Sequence, residues 1–258
     1  MINNFIFYDL ETTGTNLCFD QILQFAAIIT DENFNELERY EYYIKLNPDI
    51  LPSPQAMFIN NLSLQTKNSL TEYSAIKKIH QLLNRENTTK IGYNNFKFDE
   101  EILRFSFYRN LLDPYSHQYA NGGKRIDLYP MTIMYKLFNP NALQWPDEDS
   151  LKLESLRDTN KFFAGQAHNA IVDVQITIEL AKKLKQYNLK KWQYLIQYFE
   201  KQFDIMQYEN FTTKISNCKL AMVMSAKFFS SNNYLAPVLI LGKHQIYKNK
   251  IVYLRLDC

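Results

Sequence analysis

FIFYDLETTGT, residues Phe5 to Thr15, decides how the rest of the chain is read. Phe5, Ile6, Phe7 and Tyr8 suit a buried, pleated strand, and Gly14 with its polar neighbours supplies the turn that ends it. Side chains alternate along a strand, so Asp9 and Glu11 project to the same side. Two carboxylates held against an apolar interior repel each other, and something must offset their charge. A divalent cation does so directly, and carboxylate oxygens suit hard ions such as Mg²⁺ or Mn²⁺. Asp-x-Glu by itself is a common tripeptide of solvated turns, so the reading depends on partners elsewhere.

Gln21 to Thr30 reads as a second buried strand, and Asp31, Glu32 and Asn33 form a turn before a third from Leu37 to Leu46. Such short connections predict an antiparallel meander. Asn47 to Pro54 carries three prolines and reads as a loop. Gln55 to Leu62 and Glu72 to Leu83 follow as helices, the second with Tyr73, Ile76, Ile79, Leu82 and Leu83 on one face. Thr88 to Tyr93 is a short fourth strand, and a helix runs from about Phe98 to Leu111. Asp113 to Gly123 is aromatic and irregular, and Asp127 to Phe138 is helical with Pro130 in its first turn. Ser150 reads as the N-cap of a helix from Leu151 to Asn160. Ala167 to Tyr187 is the longest helical stretch, and Trp192 to Phe203 continues as a basic, aromatic helix. Beyond it, Lys219 to Ala226, Ala236 to Leu241 and Ile251 to Leu256 are strand-like. The expected fold is therefore α/β, with a mixed first domain over residues 1–203 and the start of a β-rich second one over 204–258.

The 258 residues carry 46% hydrophobic and 22% charged side chains, an ordinary globular balance. With 29 basic and 27 acidic residues the net charge is only +2, so any nucleic-acid binding must use a local groove. Lys182 to Lys191 and Lys243 to Arg255 are the most basic stretches. The 18 Tyr and 18 Phe can fill a core or stack on bases. Cys18, Cys218 and Cys258 lack CxxC spacing, which points to neither zinc nor a disulfide framework. No stretch approaches the roughly 20 apolar residues of a membrane span, and the N-terminus lacks a signal-peptide pattern. The expectation is a cytoplasmic monomer.

Two further patterns complete the acidic set. Asn94-x-x-x-Phe98-Asp99 puts a carboxylate at the opening of a helix that follows a strand, and His168-x-x-x-x-Asp173 supplies an imidazole and a fourth acid. Residues five apart on a helix point in different directions, so His168 is expected in the entering loop and Asp173 on the helix proper.

Asp9, Glu11, Asp99, His168 and Asp173 match, position by position, the five catalytic residues of the DEDDh 3′-to-5′ exonucleases. The stretches FDEEILRFSFYRNLLDPY (Phe98 to Tyr115), KRIDL (Lys124 to Leu128) and WPDEDSLKLESL (Trp145 to Leu156) resemble the bacterial exonuclease I group, which is specific for single-stranded DNA. This resemblance implies a ribonuclease-H-like fold followed by an SH3-like domain, whose place the Ala236-Pro237 region takes. The family pattern continues through a C-terminal helical domain and this chain stops first, which predicts an incomplete clamp around the strand. Contact with single-strand-binding protein is also implied, through a region largely beyond residue 258.

By the same resemblance, Asp9 bridges two metal ions, Glu11 and Asp173 complete the hydrolytic site, and Asp99 supports the second ion. His168 takes the proton of the attacking water; an imidazole's ordinary pKa near ~6.5 leaves it largely neutral above pH 7. Glu11 also meets the terminal nucleotide, and Lys152, Arg104, Tyr115 and Tyr119 line the DNA path. Lys152 stands where the family usually has arginine, keeping the charge and losing the bidentate fork. The implied activity is metal-dependent release of 5′-mononucleotides in DNA repair or recombination. Two other readings compete: a DEDDh enzyme acting on RNA or proofreading for a polymerase, and a non-catalytic module that stacks on single strands.

Overall fold

The acidic strand lies at the centre of the molecule. The structure, a computed structural model, describes residues 4–60, 68–146, 150–163, 169–200, 203, 206, 219–224, 228, 234–247 and 250–257. β1 (Asn4–Thr12), β2 (Ile22–Thr30) and β3 (Glu36–Tyr43) form the expected antiparallel meander. β4 (Thr88–Gly92) pairs with the other edge of β1 in parallel, and β5 (Lys124–Asp127) extends the sheet, also in parallel. The order is β3-β2-β1-β4-β5.

Helices cover both faces, which is why all nine residues of β2 are buried. On one side α2 (Glu72–Leu83) and α3 (Asp99–Arg109) pack Ile76, Ile79, Leu83, Ile102 and Phe107 against Ile6, Tyr8 and Leu10 of β1. On the other, α5 (Leu128–Phe138), α7 (Ala170–Tyr187) and α8 (Leu189–Ile196) close over Phe7, Ala26 and Ile28. The two sets alternate along β1, so Phe7, Asp9 and Glu11 share the α7 side. A separate three-stranded antiparallel sheet, β6 (Lys219–Met224), β7 (Leu235–Lys243) and β8 (Ile251–Arg255), is built around Ala236, Val238, Ile240 and Phe228. Tyr234 joins it to the larger body, its ring meeting Tyr129 edge-on at 6.1 Å.

Several local readings change. Lys124–Asp127 is a strand that hydrophobic patterning does not reveal, because two of its four residues are basic. Within the stretch read as irregular, Ser116–Tyr119 forms a short helix, α4. α6 spans Leu153–Asn160 and has Lys152 rather than Ser150 at its N-cap. The Leu151 carbonyl, which an earlier helix start would use internally, accepts instead from the Tyr93 hydroxyl. Tyr73 lies outside the buried face of α2 and Ala75 takes its place. Helix α8 stops at Ile196, and a 3₁₀ turn covers Gln197–Phe199. The readings at Ala167, His168, Cys218 and Cys258 fall outside the described residues.

Phe34 anchors the α7 side. It is fully enclosed although its φ of 62° lies in the left-handed region that bulky residues avoid. Its ring meets Phe5, Phe7 and Trp192 edge-on at 5.1, 5.3 and 5.6 Å, and Lys185 Nζ stands 4.7 Å from its centroid. Truncating Phe34→Ala keeps the strained backbone and removes the packing that offsets it. Urea denaturation should report a loss of about 3–5 kcal/mol.

Candidate metal centre

Two sheet faces and three chain segments converge on the carboxyl end of β1. β1 and β4 run in the same direction, so Asp9 and Glu11 end one strand while the segment after β4 leads to Asp99. Asn94 turns that segment with a left-handed φ of 57°, and a 3₁₀ turn over Asn95–Lys97 delivers Asp99 to the first turn of α3. Opposite, Asn169 caps α7 by accepting from Ile171 N at 3.2 Å, which starts the helix so that Asp173 falls in its first turn. Buried Gln24, the register partner of Glu11, reaches this cap: its Nε2 lies 3.3 Å from Asn169 Oδ1 and its Oε1 accepts from Ala170 N at 3.3 Å.

The outcome is a cluster in which Asp9, Glu11 and Asp173 each offer an oxygen within 4.8 Å of the others. Asp99 stands beside it, close enough to act electrostatically on Asp9 and to feel Glu11. Glu11 and Asp99 are each only 8% exposed. Burial pushes Asp9 well above the usual carboxylate range, with Asp99, Asp173 and Glu11 adding to it. Burial and then Asp173 push Glu11 up to about 8. Asp99 also rises to about 8, through burial and the charges of Asp127, Glu100 and Glu11, although its backbone hydrogen bond opposes the rise. Acids so displaced suit one another only when a cation sits between them or protons are taken up. Their all-oxygen donor set fits a hard divalent ion.

The other anticipated residues fall around this centre. Arg104, on α3, pairs with Glu101 through Nε at 3.0 Å, and its guanidinium lies 4.1 Å from the Phe105 ring and 5.7 Å from the Tyr115 ring. Arg104 and Tyr115 are thus brought together, while none of Arg104, Tyr115, Tyr119 and Lys152 belongs to the acidic cluster. Tyr119, on α4, is 67% exposed, and Lys152 is exposed at the head of α6. Arg157, farther along α6, is close enough to feel the charge of Asp173. His168 lies outside the described residues.

Asp127 went unread among the acids. It ends β5 as Asp9 nears the end of β1, accepts from Asn94 N at 2.8 Å and from Tyr129 N at 2.9 Å, and is pushed to about 6, mainly by burial. An acid after an apolar residue in KRIDL was the only available signal, and it became readable once that stretch proved to be a strand.

Residues 6–181 match the exonuclease family RNase_T. The chain is 38% identical over 205 residues to exodeoxyribonuclease I of Buchnera aphidicola subsp. Schizaphis graminum, covering 77% of this chain and 42% of that protein. It is 34% identical over 262 residues to exodeoxyribonuclease I of the Acyrthosiphon pisum subspecies, covering 98% and 62%. Among solved structures, the zinc-bound complex of Escherichia coli exonuclease I with single-stranded DNA superimposes with a TM-score of 0.91 at 31% identity, over 98% of this chain and 54% of that one. The chain therefore spans about half the length of the proteins it resembles.

The shifted acids carry a pH signature. A carboxyl whose folded pKa is raised contributes stability that is complete below its unfolded value near ~4 and is lost as pH climbs through the folded value. For Glu11 and Asp99, folded values of about 8 place that loss between about pH 4 and 8. Without metal, the melting temperature should fall across that window, and the gap between Mg²⁺ and EDTA samples should widen. A gap of constant size from about pH 6 to about pH 9 would count against a metal site built from these acids.

Proposed function

We propose that this chain, which belongs to the exonuclease family RNase_T, is a metal-dependent nuclease that degrades single-stranded DNA from its 3′ end to 5′-mononucleotides. The observation that carries the reading is the meeting of Asp9, Glu11 and Asp173 within 4.8 Å, with Asp99 beside them, in a chain resembling exodeoxyribonuclease I along its length. We place its work in DNA repair or recombination in the cytoplasm. We also read residues 1–203 as the nuclease domain and 204–258 as the start of an SH3-like domain.

Asp9, Glu11, Asp99 and Asp173 would hold two divalent ions, Mg²⁺ or Mn²⁺. Bound there, the ions would supply Lewis acidity toward the scissile phosphate and lower the pKa of the attacking water. The residues of the chain do the rest. Glu11, at the end of β1, meets the terminal nucleotide and orients its 3′ end. His168 accepts the proton of the attacking water as general base. Lys152 and Arg104 contact phosphates, and the exposed rings of Tyr115 and Tyr119 offer faces on which bases stack.

Digestion of 5′-labelled single-stranded DNA, with Mg²⁺ or EDTA and beside duplex and RNA controls, tests the reading. A metal-dependent ladder shortening from the 3′ end of the DNA is expected; trimming from the 5′ end, or equal rates on RNA, would overturn it. His168→Ala should lower turnover roughly 10²–10⁴-fold while leaving oligonucleotide binding in EDTA unchanged. Glu11→Ala should yield a folded, inactive protein, checked by circular dichroism beside the digestion, and a fully active variant would remove Glu11 from the site.

A further inference from the structure

One more buried acid lies beside the candidate metal centre. Glu100, the residue after Asp99, is only 2% exposed, and side chains from three elements besides its own α3 converge on its carboxylate. Tyr8 of β1 donates its hydroxyl to Oε1 at 2.7 Å. Oε2 lies 2.9 Å from an Arg125 guanidinium nitrogen on β5, 3.1 Å from His117 Nε2 on α4 and 3.4 Å from Gln118 Nε2. Asn95 Nδ2 in turn donates to the Tyr8 hydroxyl at 2.9 Å. Burial would raise such a carboxyl, but His117, Arg125 and Tyr8 together hold it down at about 2.

Tyr8 immediately precedes Asp9, and Glu100 immediately follows Asp99. Asp9 faces α7, whereas α3 packs on the opposite face of the sheet, so these two acids reach the centre from different layers. They repel each other, and their mutual approach needs an attractive link through the neighbouring backbone. The Tyr8 to Glu100 hydrogen bond is such a link, one residue from each acid, and Arg125 ties the same carboxylate to the strand that ends in Asp127.

We propose that Tyr8 and Glu100 form a positioning pair that sets the separation of Asp9 and Asp99, and through it the cation affinity of the centre. The inference rests on the reading that these acids hold divalent ions. Groups that orient metal ligands from behind typically change metal affinity 10–100-fold when altered. Glu100 lies outside the cluster of Asp9, Glu11 and Asp173, and the pair acts through Asp9 and Asp99.

Calorimetric titration of Mn²⁺ into the DNA-free chain tests this, beside steady-state hydrolysis of an oligonucleotide. Tyr8→Phe keeps the ring that stacks on Phe25 and removes one hydroxyl. It should weaken Mn²⁺ binding about tenfold, raise the Mn²⁺ needed for half-maximal hydrolysis by a similar factor and lower kcat, with KM for the oligonucleotide unchanged. Glu100→Gln should do at least as much, and the double variant should be no worse than Glu100→Gln alone, because both act through one bond. Mn²⁺ affinity within about twofold of wild type in a folded Tyr8→Phe protein would overturn the proposal whatever its melting temperature, leaving the pair an ordinary core contact. Should Glu100→Gln fail to fold, Tyr8→Phe alone decides. A wild-type chain that binds Mn²⁺ yet leaves single-stranded DNA intact would remove the nuclease reading and leave this inference standing; one that binds no Mn²⁺ removes both.

Discussion

Like charge packed close together against an apolar core is the constraint from which the rest of the structure follows. Asp9, Glu11, Asp99 and Asp173 would separate if each were free to choose its place, since carboxylates a few ångströms apart in a low-dielectric setting repel by several kcal/mol. The fold denies them that choice. Asp9 and Glu11 sit on the innermost strand, Asp99 on a helix whose Ile102 and Phe107 are locked into one core, and Asp173 on a helix whose Val174, Ile178 and Ala181 are locked into the other. Apolar burial on both faces is thus spent in holding an arrangement that electrostatics opposes. A cation recovers that opposition as affinity.

Such sites need rigid backbone more than they need any one ligand. Three devices supply it here: the Asn169 cap, the left-handed turn at Asn94, and Asp127, whose carboxylate holds Asn94 N and the first turn of α5 together. Gln24 adds a cross-brace between β2 and the head of α7. Asn169, Asp127 and Gln24 each put a polar side chain on backbone groups rather than on chemistry. Gln24 and Asp127 are accordingly buried polar residues that stand near the acids without belonging to the cluster.

How far the sequence could be read depended on the distance over which each feature is encoded. The meander and the long helices declare themselves in local apolar patterning, as in FIFYDLETTGT and Ala170–Tyr187, and the acids on them could be placed by alternation and helical spacing. Asp99 was legible because a strand, an Asn-rich turn and a helix follow in immediate order. Features that depend on remote partners were silent. Lys124–Asp127 shows no strand pattern until β4 is available to pair with it. Ser150 looks like a cap until Tyr93, far earlier in the chain, claims the Leu151 carbonyl. Glu100 reads as a solvated acid of the helix's first turn, and only the fold brings Tyr8, His117 and Arg125 around it.

The parallel pairing of β1 with β4 has a kinetic corollary. β1 and β2 are adjacent in sequence, joined by residues 13–21, and can close on each other early, but the other edge of β1 must wait for β3, the helix at Pro54–Asn60 and α2 to be made, and its α7 face for a longer stretch still. Loop-closure entropy places those contacts late in assembly. The sequence separation of Asp9 and Glu11 from Asp99 and Asp173 thus favours their meeting after the β1–β2 pair has closed. A centre whose parts repel is, in this chain order, closed after the meander that carries two of its acids.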